Sequence, residues 1–227
     1  MGGDVAMNRQ AHPVADAQFA RIANDGCCQH EFARALQTDH SHSAARNLAD
    51  AVHLFCQVYG RHPGMIELAL ANTPAGPVRD WMMGAADAFE RERLFLVRLT
   101  SAVGPLPSTP GAHQTESVLQ AQRRAVETLA RSEREGCSLG AATALVGDWP
   151  VVRAVLDSAA QRAGIEVPAS VLPGETDCAQ VINAAIQGPA AQRALTFGTE
   201  QLLLQHRGLF DLLEARAVAR DKADGIV

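Results

Sequence analysis

This chain of 227 residues is short of aromatic side chains, of lysine and of long apolar runs. Aromatic residues make up 4%, with Tyr59 the sole tyrosine. Aromatic and β-branched residues carry most strand signal, and no stretch alternates apolar and polar residues over the length of a strand, so an all-β fold is excluded. Lys222 is the sole lysine, and every other basic residue is arginine. The net charge is −5, and the densest arginine cluster, Glu90-Arg91-Glu92-Arg93, balances its own charge. A face built to neutralise phosphates is missing, which argues against nucleic acid as a partner. No stretch approaches about 18 uninterrupted apolar residues, so no membrane-spanning helix and no membrane partner is expected. Residues 1–12 lack the apolar middle of a secretory signal. The chain therefore reads as cytoplasmic and, from its arginine bias, bacterial. Five cysteines (Cys27, Cys28, Cys56, Cys137 and Cys178) are an odd, scattered set and make no disulfide framework. Cys27 and Cys28 are adjacent rather than spaced as C-x-x-C, so no metal site is expected.

What is abundant is alanine, 41 residues, within a chain that is 47% hydrophobic and 20% charged. Alanine has the best helix propensity, and this balance is that of a folded globular protein. Proline and glycine cut the chain into helical blocks. The first covers residues 13–38 and weakens near Gly26. Others cover residues 43–59, 64–71, 77–103, 115–135, 139–163 (with a kink at Pro150), 177–187 and 189–220. Residues 104–111 contain three prolines and form the clearest loop. The expectation is an all-α fold, a single-domain antiparallel bundle of six to seven helices over residues 13–220. Residues 1–12 and 221–227 are expected to be flexible ends.

Function is sought where polar residues interrupt apolar faces at about 100° per residue. His206 falls near the centre of the face made by Leu195, Leu202, Leu209, Phe210, Leu213 and Ala217. Gln122 and Glu133 lie on the stripe of Val118, Leu119, Val126 and Leu129. Arg93 and Glu92 lie close to the direction set by Val78, Met82, Phe89 and Leu96. Arg153 sits toward an apolar side with Asp157 one turn on, and Tyr59 continues the Leu48, Val52, Phe55 face. Buried charges are costly unless paired, so groups facing one interior should find each other. The candidate ligand-binding cluster is therefore Tyr59, Glu92, Arg93, Gln122, Glu133, Arg153, Asp157 and His206. The plainer account makes these separate ion pairs and hydrogen bonds that fix helix register. Three other features are read first as structural: Asp39-His40-Ser41-His42 as a capping turn, His62-Pro63-Gly64 as a turn, and Cys137 as a small residue at a close helix contact.

No glutamate has histidine three residues later, so the paired E-x-x-H motif of a ferritin-like di-iron bundle is missing. In size, helix count and the glycine-interrupted stretch from Gly136-Cys137-Ser138-Leu139-Gly140 through Trp149-Pro150, the chain resembles heme-oxygenase-like and TenA-like helical proteins. That resemblance implies Cys137 as a nucleophile and Glu200 as a late-helix acid, or His30 as a heme ligand by position, although Glu200 lies on the polar face of its helix. The whole chain also resembles uncharacterised bacterial helical proteins. The first functional reading is a small-ligand-binding or protein-interaction module with an internal polar cluster and no cofactor. The alternative is a heme-oxygenase-like or ferritin-like enzyme holding iron or heme in the core, which requires Glu92, Glu133 and His206 to converge on one point. A homodimer is one assembly the sequence allows, with the alanines Ala85, Ala86 and Ala88 permitting close helix approach within or between chains.

Overall fold

The computed structural model describes residues 13–39 and 41–225; the expected flexible stretch 1–12, His40 and the last two residues lie outside the described residues. Among the described residues the chain forms nine α-helices and no strand. They are α1 (Pro13–Asp25), α2 (Glu31–Thr38), α3 (Ala44–Tyr59), α4 (Met65–Ala71), α5 (Pro77–Ala102), α6 (Ala112–Ala130), α7 (Cys137–Arg162), α8 (Glu175–Ala185) and α9 (Gly188–Ala223). A 3-10 turn, Cys27–Gln29, separates α1 from α2.

The number exceeds the expected six to seven chiefly because the first block divides. At Gly26 the backbone turns extended, and a Cβ there would lie 2.5 Å from an Asp148 carboxylate oxygen. Only glycine leaves that carboxylate room to approach the turn. Other boundaries follow the punctuation: Pro77 opens α5, Gly60 caps α3, and the proline-rich loop separates α5 from α6. α7 runs on through Pro150, which is exposed. α9 continues three residues past Arg220, to Ala223.

α7 is the central helix, and almost every side of it is buried. It is long and apolar enough to cross a membrane by composition, yet 78% of its most apolar window is buried inside the bundle. Its main partner is α9. A Cβ on Gly140 would come within 2.1 Å of the Leu195 carbonyl oxygen, and one on Gly198 within 2.0 Å of that of Cys137. The two backbones therefore touch, and the alanine-rich composition is what permits it. Ala85, Ala86 and Ala88 of α5 are likewise buried within the chain.

Paired side chains fix the directions of the helices. Asn47 and Asp50 of α3 meet Arg220 and Arg216 of α9, while Phe55 meets Phe210 and Tyr59 meets His206, so α3 and α9 are antiparallel. Thr115 and Gln122 of α6 meet Arg216 and Gln205, again antiparallel to α9. α7 departs from the antiparallel expectation. Gly140 meets Thr199 and Asp148 meets His206, so α7 and α9 run parallel. The cause is α8 with its flanking connector, which returns the chain to the end where α7 began.

Candidate functional site

The three buried carboxylates of the described core, Asp50, Glu92 and Asp148, anchor three polar clusters. The Asp148 cluster is the most enclosed. His206 donates from Nδ1 to Asp148 Oδ2 at 2.8 Å, and the Cys27 backbone N–H donates to Oδ1 at 2.8 Å. Cys27, Asp148 and His206 are at most 1% exposed. The His206 Nε2 atom is buried with no partner. Tyr59 stands edge-on to His206, with ring centroids 5.3 Å apart, and edge-on to Trp149 at 5.4 Å. Burial, then the adjacent Asp148 carboxylate, push the Cys27 thiol far up. Burial works to raise Asp148 as well, but the hydrogen bond and charge of His206, with the Cys27 thiol and N–H, outweigh it and hold the carboxyl below its ordinary range. Burial raises the Tyr59 phenol, and Cys27 and Asp148 add to the effect. With its thiol so firmly protonated, Cys27 has little nucleophilic character.

The second cluster brings three of the expected residues together. Arg153 donates from Nη1 to both oxygens of Glu92, at 2.8 and 2.9 Å, and from Nε to Asp157 at 2.6 Å. Trp149 Nε1 donates to Glu92 at 3.0 Å, and the Arg153 guanidinium lies 4.5 Å from the Phe95 ring centroid. Because Trp149 also packs against Tyr59, the first two clusters share one aromatic wall. Arg93 stands in a separate group, paired with Glu67 and Glu90 and donating to His62 Nδ1 at 3.2 Å.

Gln122 and Glu133 belong to none of these. Gln122 donates to the Gln205 carbonyl at 3.2 Å and ties α6 to α9. Glu133 is exposed, because α6 ends at Ala130 and the apolar stripe cannot be extended past it. Glu92, Glu133 and His206 therefore do not converge, and the geometry required for an iron or heme centre built on them is not met. Cys137 is buried at the α7–α9 contact, and Glu200 lies on the outer face, 3.0 Å from Arg21. His30 pairs with Asp211 at 3.0 Å and packs against Phe210. In the Asp39 turn, Ser41 donates from its backbone N–H and its hydroxyl to the Asp39 carboxylate; His40 lies outside the described residues.

The third cluster is absent from the sequence reading. Arg216 grips Asp50 from Nε and Nη2, at 2.9 and 2.7 Å, and Arg220 adds a further bond to the same carboxylate. Asn47, Thr109 and Thr115 accept the remaining guanidinium hydrogens that have partners. Arg216 and Arg220 are four residues apart, and Asn47 and Asp50 three apart, so each pair shares a helix face. That spacing was the available signal.

Two groups of metal-ligating type come together among the described residues: Cys27 with Asp148 and His206, and His62 with Glu67 and Glu90. In the second, the Arg93 guanidinium already supplies the positive charge. Away from the clusters, a groove of about 930 Å³ opens between the α4–α5 turn, the α6–α7 loop and the end of α8. Val78, Leu139 and Ile186 give it apolar surface, and Arg131, Glu133 and Arg134 give it charges of both signs.

Residues 22–221 match the family model of a family of unknown function, DUF6975, and the chain belongs to that family. No curated protein and no solved structure matches the chain.

Proposed function

We propose that this member of the DUF6975 family binds a small, largely aliphatic molecule in the groove beside Glu133, and that its internal polar clusters are the scaffold holding the groove's walls in register. The observation that carries the reading is the groove itself. Its volume of about 930 Å³ falls within the roughly 300–1,000 Å³ usual for small-molecule sites. Three separate parts of the chain wall it, and the mixed charges of Arg131, Glu133 and Arg134 suit a ligand with a polar end. No aromatic side chain lines it, so aliphatic packing rather than ring stacking would supply the affinity. Of the eight residues picked out from the sequence, Glu133 alone faces this site. Glu92, Arg93, Arg153 and Asp157 act through Arg–carboxylate pairing and Gln122 through helix register, while Tyr59 and His206 belong to the Asp148 cluster. The net acidic charge supports a partner other than nucleic acid. A homodimer is part of the proposal, resting on how common symmetric assemblies are, and light scattering tests it.

The test is chemical-shift mapping with decanoate as the probe. Shifts should cluster at residues 72–78, 131–139 and 184–186, and Ala184→Trp should abolish them while leaving the far-ultraviolet spectrum unchanged. Scattered shifts, or shifts that survive in Ala184→Trp, would overturn the reading.

A further inference from the structure

We infer that Cys27, Asp148 and His206 form a binding site for one divalent transition-metal ion of the zinc or cobalt class. The first reason is that Asp148 has no arginine or lysine partner. Asp50 is held by Arg216 and Arg220, and Glu92 by Arg153. Asp148, equally buried, is hydrogen-bonded by a histidine ring and a backbone N–H, with no arginine or lysine among those partners. The comparable His62, Glu67 and Glu90 group already has its cation in Arg93. Where the fold buries Asp50 and Glu92 it supplies arginine, and at Asp148 the positive charge in bonding reach is the one His206 carries when protonated, which a metal ion would replace.

The second reason is the donor set and its spacing. The Cys27 sulfur, an Asp148 carboxylate oxygen and a His206 ring nitrogen all lie within 4.8 Å of one another. Ligand atoms about a tetrahedral ion with bonds of about 2.0–2.3 Å stand roughly 3.3–3.8 Å apart, so a separation at the 4.8 Å limit must shrink by about 1 Å, and the 2.8 Å from His206 Nδ1 to Asp148 Oδ2 must open by about 0.5 Å. The donors come from three segments that are already fixed. α7 and α9 touch backbone to backbone at Gly140 and Gly198, and the Cys27 turn is pinned by its own N–H to Asp148. Sulfur, nitrogen and one oxygen suit zinc-like ions rather than magnesium or calcium. Three protein ligands leave a fourth position open.

The third reason is balance of charge. A thiolate and a carboxylate carry two negative charges, and with a neutral imidazole they cancel a divalent ion, so the loaded site is neutral in a low-dielectric interior. On uptake the Cys27 S–H bond breaks and its proton leaves to solvent, while the sulfur electron pair forms the metal–sulfur bond. The hydrogen that His206 Nδ1 donates to Asp148 is also released, Nε2 takes one up in its place, and the neutral ring binds through Nδ1. No oxidant or reductant takes part.

The test uses the full chain produced in cobalt-supplemented medium, incubated with excess cobalt(II) and freed of loose ion by gel filtration. The expected result is stoichiometric cobalt with a near-ultraviolet thiolate-to-cobalt band. Cys27→Ser should remove the band, and Asp148→Asn should weaken retention by about 10- to 100-fold. Cys28→Ser and His62→Ala should change neither. Should Asp148→Asn fail to fold, the nearly isosteric Cys27→Ser and the wild-type measurement still decide. Only traces of cobalt in the wild type, a missing charge-transfer band, or equal retention by Cys27→Ser would each overturn the inference.

Discussion

Placing alanine at Gly84 and at Gly198 should move stability in opposite directions, although both are helix-interior glycines. Alanine favours helix over glycine by about 0.8–1.0 kcal/mol. At Gly84, on the exposed side of α5, an added Cβ meets nothing within 4 Å. Gly84→Ala should therefore keep that gain and raise Tm by about 2–4 °C, the usual response of a chain of this size to about 1 kcal/mol. At Gly198 the same carbon would lie 2.0 Å from the Cys137 carbonyl oxygen and 3.1 Å from the Ala141 nitrogen. These are backbone atoms of α7 and cannot rotate away, so the helices must part by about 1 Å. Overpacking of this kind costs about 1–3 kcal/mol, and hydrogen bonds at the same seam, such as Thr199 to the Gly140 carbonyl, lose about 1 kcal/mol each when stretched. After the propensity gain, a net loss of about 1–3 kcal/mol remains, a fall in Tm of roughly 2–12 °C. Urea titration of the three proteins should show shifted midpoints at unchanged slope. A Gly198→Ala variant that melts at or above the wild type would refute the claim that the α7 and α9 backbones touch.

Asp50→Ala should destabilise by about 3–5 kcal/mol, because it leaves Arg216 and Arg220 buried without a carboxylate; chemical denaturation checks it, and a loss under about 1 kcal/mol would contradict the buried network. Glu92→Ala should be costly for the same reason, whereas Glu133→Ala, on the exposed loop, should stay within about 0.5 kcal/mol of wild type. The raised Tyr59 phenol means that the native fold disfavours its ionised form. Its contribution to stability is complete below the unfolded value of about 10 and declines as pH rises above it. Phenolate absorbance should therefore appear only with alkaline unfolding, and a smooth native titration near pH 10 would count against the burial. A disulfide reagent at pH 8 should modify exposed Cys28 first and Cys56 more slowly. Cys27, Cys137 and Cys178, all buried, with the Cys178 thiol pushed up to about 12 by burial and neighbouring acids, should react only after unfolding.

The helical fold is legible wherever chemistry punctuates the chain. Pro77, Gly60 and the prolines of residues 104–111 mark boundaries the structure keeps. Between Ala130 and Gly136 there is neither proline nor glycine, so an apolar stripe read off a wheel runs on through Glu133 after the helix has stopped. His206 is visible because it stands alone on a leucine face. Its partners are not: Asp148 lies on a helix buried around most of its circumference, where no apolar stripe defines an inside, and Cys27 lies in a turn with no periodicity. Glu92, Arg153 and Asp157 are each legible by helical phase and meet as an interior pairing rule requires. The direction of α9 relative to α7 is a property of the returning α8 segment, and local patterns do not encode it.

The Gln18 amide of α1 donates to the Gly140 carbonyl and to Thr143, and accepts from Thr199 at 2.6 Å. Its partners lie 122 to 181 residues later in the chain. Contacts of such sequence separation carry a large loop-closure cost and form late. α1 therefore has no finished seat until α7 and α9 have paired, and on the ribosome it must wait for nearly the whole chain to emerge. The Cys27 turn follows α1 directly, so it too waits for α7 and α9 to bring Asp148 and His206 to it.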